Sequence, residues 1–161
     1  MPSPKKSFRE KLADGKDFPR VQPIPKGMER TLGPGTILLP AVSEVAALMR
    51  SVPKGKVTTI NHLRAVLAER HGATTACPIV TGIEARIVAG AAGEDEDEGK
   101  KRVAPYWRTL KANGILNAKY PGGVERQKER LEREGLRVLA KGKQHAVADF
   151  EDYLATLRVD P

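Results

Sequence analysis

The sequence predicts a mainly α domain with a small β element, and three observations predict it. Three successive segments between residues 43 and 92 repeat apolar residues at helical spacing and stop at glycine or proline. The third of them is built largely from small residues. Near the C-terminus a short apolar run turns on Lys-Gly-Lys, which places the β element near residues 136–143.

Taken in order, residues 1–35 are proline-rich and carry eight Lys/Arg against four Asp/Glu. "SFREKLAD" has the length of one or two helical turns, whereas "FPRVQPIPKGMERTLGPG" is too broken to sustain a regular element. Together they read as a basic arm on a domain spanning 36–161. In "TILLPAVSEVAALMRSVPKG" a short apolar run leads into a helix. Ser43 is its expected N-cap, Val45, Leu48, Met49 and Val52 share one face, and Pro53 with Gly55 ends it. "KVTTINHLRAVLAERHG" starts a second helix at Thr59 or Asn61, with Leu63, Val66 and Leu67 inward and Gly72 as C-cap. Past "ATTACP", "IVTGIEARIVAGAA" reads as a third helix with Pro78 in its first turn. Gly82, Ala85, Ala89, Gly90, Ala91 and Ala92 make that helix thin enough to approach another backbone, protein or nucleic acid. Two helices, a short turn and a small-residue third helix have the layout of a helix-turn-helix.

The acidic stretch "GEDEDEGKK", residues 93–101, reads as a solvated loop. "APYWRTLKANG" then brings the single Trp beside one of three Tyr, and "NAKYPGG" is a turn. "GVERQKERLEREG" is a charged helix anchored by Leu131 and closed by Gly135. "LRVLAKGKQHAVADFEDYLATL" offers a short strand, a turn and a closing helix.

The composition narrows the function. A net charge of +8 and a pI near 9.7 over 161 residues favour an acidic partner, with nucleic acid ahead of a membrane surface. The excess is concentrated: residues 100–145 hold thirteen Lys/Arg against four Asp/Glu. Cys77 is the single cysteine, so an intrachain disulfide is excluded and a reducing cytosol is expected. No secretory signal and no spanning segment are present, so the expected location is cytoplasmic, or nucleoid-associated in a prokaryote. His62, His71, His145 and Cys77 have no metal-ligand spacing, and no dinucleotide or phosphate loop occurs, so neither metal nor cofactor is expected. Cys77 precedes a helix start and lies six residues from His71, the minimum for a nucleophile with a base.

"VPKGKVTTINHL", "EARIVAGAA" and "APYWRTLKANGILNAKYPGGVERQKERLEREG", in that order, resemble the DNA-binding domain of O-alkylguanine–DNA alkyltransferases over residues 43–139. That family reads I-P-x-G-x-V-x-T-Y-G, A-R-A-V-G-x-A, P-C-H-R-V, Y-x-G-G and L-L-x-x-E-G. The resemblance implies a winged helix-turn-helix-like alkyltransferase C-terminal domain. The family's nucleophilic cysteine falls on Tyr106, between Pro105 and the positions of the activating histidine and its neighbour, Trp107 and Arg108. The end of its hydrogen-bonded relay matches Glu134. A phenol with a pKa near 10 and no adjacent base cannot replace a thiolate. The resemblance therefore points to the alkyltransferase-like proteins, which bind damaged guanine without repairing it.

On that reading Tyr106 walls a pocket for an extruded base, and Trp107 serves equally as pocket wall or as core. Arg86 matches the arginine that fills the gap left by the flipped base, and Tyr120, Gly122 and Gly123 match the loop over the lesion. Two departures stand against flipping. Ile60, after Thr59, replaces the tyrosine that rotates the target phosphate, with Asn61 for the following glycine, and five carboxylates at 94–98 would repel DNA. The expected partners are double-stranded DNA and a repair-pathway protein, with no membrane and a monomeric state. The alternatives are a divergent alkyltransferase using Cys77, or a protein-interaction module using the acidic loop.

Overall fold

The structure, a computed structural model, describes residues 6–15 and 17–160; the rest of the basic arm (1–5 and Lys16) and Pro161 lie outside the described residues. The arm's first element, α1 (Phe8–Ala13), starts on a capping box in which Ser7 accepts from the Glu10 amide and Glu10 accepts from Ser7. The segment expected to be irregular then forms β1 (Arg20–Pro23) and α2 (Lys26–Leu32). Its prolines sit where they do least harm: Pro23 ends an edge strand and Pro25 is the N-cap of α2. β1 pairs antiparallel with β2 (Thr36–Leu39), so a boundary between residues 35 and 36 separates two paired strands.

α3 (Val42–Arg50) is capped by Ala41 rather than by Ser43, which lies exposed in the first turn. Burial of Ala41 and Val42 pulls the start two residues earlier than the polar cap would set it. Val45, Leu48, Met49 and Val52 are buried as the spacing requires. β3 (Thr58–Thr59) leads into α4 (Ile60–Arg70), where the Thr59 hydroxyl accepts from the His62 amide. Gly72 follows the last turn at φ +65°. β4 (Thr75–Ala76) adds a parallel strand to β2.

α5 (Pro78–Asp97) runs straight through the acidic residues that were expected to form a loop. Its carboxylates are matched with arginines. Glu94 accepts from the Phe8 and Arg9 amides at 3.0 and 2.9 Å, and Arg9 pairs with Glu98 at 2.6 Å. Glu96 binds Arg130 and Arg126 of α6 (Gly123–Arg133). The small side chains of α5 are used by protein. A Cβ at Gly90 would lie 2.2 Å from the Phe8 ring, and one at Gly93 would lie 2.7 Å from Pro121.

Tyr106–Arg108 form a 3-10 turn before β5 (Thr109–Leu110), which pairs parallel with β3. β6 (Val138–Lys141) and β7 (Gln144–Val147) make the small C-terminal hairpin about Gly142. The expected closing helix is one 3-10 turn, Phe150–Tyr153. Beyond it the chain runs extended, hydrogen-bonds on both sides of Val57 and buries Ala155 and Leu157. One core cluster joins α3, α4 and α5 with Tyr106 and Tyr120; a second joins Val57, Leu110, Leu116, Leu131, Leu136 and Val147; Trp107 packs on both.

Gly90→Ala in an ordinary helix would stabilise by about 1 kcal/mol. Here the added methyl displaces the base of the Phe8 ring. We expect no gain in urea-unfolding stability and faster amide exchange over Phe8–Ala13; a stabilised variant with an unchanged α1 would refute the packing account.

Candidate nucleic-acid interface

α5 presents an outward stripe at helical spacing: Ile79 (63% exposed), Ile83 (55%) and Arg86. Arg86 is exposed and has no hydrogen bond or ion pair among the described residues. One turn on, at Gly90, the stripe ends under Phe8, so α1 covers the C-terminal part of this face. Thr59, Ile60 and Asn61 lie at the start of α4. Thr59 is buried as the cap, Ile60 packs half-buried on the first core cluster, and exposed Asn61 accepts from Arg64 at 3.0 Å.

The aromatic residues lie together, but inward. Tyr106 is 1% exposed, and its ring meets Trp107 and Tyr120 edge-on with centroids 5.4 and 5.7 Å away. Its hydroxyl donates to the Pro121 carbonyl at 3.3 Å and accepts from Arg130. Burial raises the Tyr106 phenol above its ordinary pKa, against the lowering effect of Arg130, and burial raises Tyr120 as well. Arg130 lies over the Trp107 ring at 4.5 Å and over Tyr106 at 5.5 Å. Consecutive left-handed residues, Gly122 (φ +81°) and Gly123 (φ +67°), turn the chain from Tyr120 into α6. The three most pronounced concavities among the described residues are not lined by Tyr106, Trp107 or Tyr120. The pocket expected at Tyr106 is closed by its own walls.

Behind these rings lies a polar clamp. The Glu134 side chain, 8% exposed, accepts from the Trp107 indole at 3.1 Å and from Arg108 Nη2 at 2.6 Å and Nε at 2.9 Å. Arg108 Nη1 also donates to the Val52 carbonyl, at 2.8 Å. Burial pushes the Glu134 pKa up. Hydrogen bonds from Arg108 and Trp107, the Arg108 charge and the Gly55 amide outweigh it and hold the group below its usual value. Gln127, 1% exposed, accepts from the Asn117 amide and donates to the Trp107 carbonyl. The sequence reading passed over Gln127, although its position four residues before Leu131 puts it on the buried face. Nothing in the sequence pointed to Arg130 as a cover for the rings.

Cys77 is buried beside Ile24 and Ile37, and His71 binds Glu44 at 2.8 Å instead. Buried Cys77 and Glu44-bound His71 therefore do not form a nucleophile with its base. Among the described residues no group of His, Cys, Asp and Glu is arranged to hold a metal, and no helix is long and apolar enough to cross a membrane.

No protein-family model matches the chain, and no curated protein matches it. Among solved structures, S. pombe Atl1 in complex with damaged DNA containing O6-carboxymethylguanine matches with a TM-score of 0.50 at 19% identity, over 71% of this chain and 94% of that one. A second structure, S. pombe ATL in complex with DNA, gives 0.47 at 19% identity over the same shares. The first likeness shows the fold: mainly α with small sheets, as in an alkyltransferase-like protein.

Glu134→Ala should cost about 3–5 kcal/mol, because it leaves the Arg108 guanidinium buried without its counter-charge. Since folding depresses the Glu134 pKa, its contribution is present above the unfolded carboxyl value, about 4.3, and is lost as pH falls through the lower folded value. Urea unfolding followed by Trp107 emission should show wild-type stability falling below pH 4 more steeply than that of Glu134→Gln. Parallel pH profiles would refute the clamp.

Proposed function

We propose that this protein binds duplex DNA without chemistry on it, and that it prefers a duplex containing an alkylated guanine. The observation that carries the DNA reading is Arg86: a cation unpaired among the described residues on the exposed stripe of α5, in a chain of net charge +8. The non-catalytic part rests on Tyr106. Burial keeps its phenol protonated, and the indole beside it is a donor committed to Glu134, so neither an acceptor nor a base is present. The lesion preference is supported by the solved complex of the structurally similar S. pombe Atl1 with O6-carboxymethylguanine DNA. It is supported too by the grouping of Tyr106, Trp107 and Tyr120 near the Gly122–Gly123 turn. An alkylated base enters that cluster only when Arg130 and the rings move aside, and stacking would return about 1–3 kcal/mol. A repair-pathway protein is the second partner of this reading, because nothing at the site removes an alkyl group.

Matched duplexes with and without O6-alkylguanine test it. Affinity for both should fall with salt at a log–log slope of several units, about −0.9 for each phosphate engaged. The alkylated duplex should bind more tightly and should change Trp107 emission more. Arg86→Ala should weaken both. Equal affinity for the two duplexes removes the lesion preference; no binding at low salt removes the DNA reading.

Label carried on the alkyl group should stay on the DNA after prolonged incubation. Stoichiometric labelling of the protein, lost in Cys77→Ser, would instead establish a transferase.

A further inference from the structure

An apolar concavity lies between the arm and α5, with Arg86 in its lining. It measures about 520 Å³, within the range of small-molecule sites. Two of the chain's three phenylalanines, Phe8 and Phe18, line it, with Val42, Val80, Ile83 and Ile87 completing the apolar wall. Lys6, Lys11 and Arg86 line it as well, against the carboxylates Asp14 and Glu84. Asp14 is paired with Lys6 at 3.0 Å, and Glu84 is 5% exposed. Lys11 and Arg86 remain exposed, with Lys11 5.1 Å over the Phe8 ring.

We propose that this cavity binds an unpaired nucleobase of the bound nucleic acid, its ring against Phe8 and Phe18 and its phosphate toward Arg86 and Lys11. Two phenylalanine rings in one lining, in a chain with only 4% aromatic residues, offer a base something to stack on beside the aliphatic wall. The cationic rim fits a phosphate. Arg86 belongs both to this cavity and to the exposed stripe of α5, so a base leaving a duplex gripped there has a short path into it. The base site rests on the DNA reading for its source of bases, but not for its ring chemistry, and the two are separable by experiment.

The full chain is titrated with 2′-deoxyguanosine 5′-monophosphate, with deoxyribose 5-phosphate and with phenylalanine amide, following the Phe8 and Phe18 ring resonances. The nucleotide should shift both rings while the sugar phosphate leaves them in place. In parallel, a duplex with one bulged nucleotide should bind about tenfold more tightly than the matched duplex, within the range of a single stacked base. Phe18→Ala should abolish that preference without changing matched-duplex affinity. Gly15→Leu gives the same test without emptying the cavity. Gly15 lines the cavity, its Cβ would meet nothing within 4 Å, and the added side chain should block entry. Equal shifts from nucleotide and sugar phosphate, equal affinity for bulged and matched duplex, or shifts from phenylalanine amide alone would overturn the proposal, the last assigning the cavity to a protein partner. Nucleotide binding with no duplex binding would instead sustain the cavity and remove the DNA reading.

Discussion

The fold depends on one buried carboxylate. Glu134 closes the last turn of α6, yet its partners are Arg108 and Trp107, which flank β5, and the Gly55 amide ahead of β3. Through Arg108 it also reaches the carbonyl of Val52, at the end of the α3 segment. The two apolar clusters meet at Trp107, so this ion pair fixes how they lie against each other. Burying a charge pair is costly unless every donor is used, and here the guanidinium fork, the indole and an amide all converge on two oxygens. In the family that the sequence resembles, the corresponding glutamate ends a catalytic relay. In this chain, beside Tyr106 and Trp107, Glu134 is a structural clamp.

The acidic run shows the same economy of charge. Residues 94–98 look like a repulsive loop only while the arm is ignored. Once α1 is in place, Glu94 satisfies two of its first-turn amides and Arg9 meets Glu98, while Glu96 reaches over to α6. Acidic residues at the end of a helix oppose its dipole, a cost of a few tenths to about 1 kcal/mol. Five charge-assisted contacts with arginines and amides outweigh it. An interaction module built on this run thus has an occupant already, and it belongs to the same chain.

Helices with clear apolar spacing were legible in the sequence: Leu63, Val66 and Leu67 are inward, Thr59 caps the start of α4 as expected, and Gly72 lies one residue past the C-cap, His71. What failed to read was decided by tertiary pairing. The arm's prolines break a regular element in general, but here β1 is an edge strand and Pro25 a helix cap, and only the tertiary pairing decides that. The closing helix looked plausible because Leu154, Ala155 and Leu157 are apolar, but their burial is achieved by an extended segment beside Val57. For the candidate interface, the sequence placed Arg86 on the third helix and grouped Tyr106, Trp107 and Tyr120. It offered nothing on their depth, because the cover is Arg130, whose role comes from the docking of α6 rather than from its neighbours.

The surroundings of Arg86 are the strongest internal argument for where a polyanion would lie. Arg9, Arg70, Arg108, Arg126 and Arg130 each meet a carboxylate, and Arg64 is spent on backbone and hydroxyl oxygens. Arg86 is exposed beside the two isoleucines of its stripe and at a cavity that Phe8 and Phe18 help to line. Guanidinium desolvates and stacks more readily than ammonium, so an unpaired arginine amid apolar surface suits a ligand that offers both phosphate and ring. Duplex DNA with a displaced base is such a ligand. Solubility alone would be served by the lysines and would not require the apolar frame around Arg86.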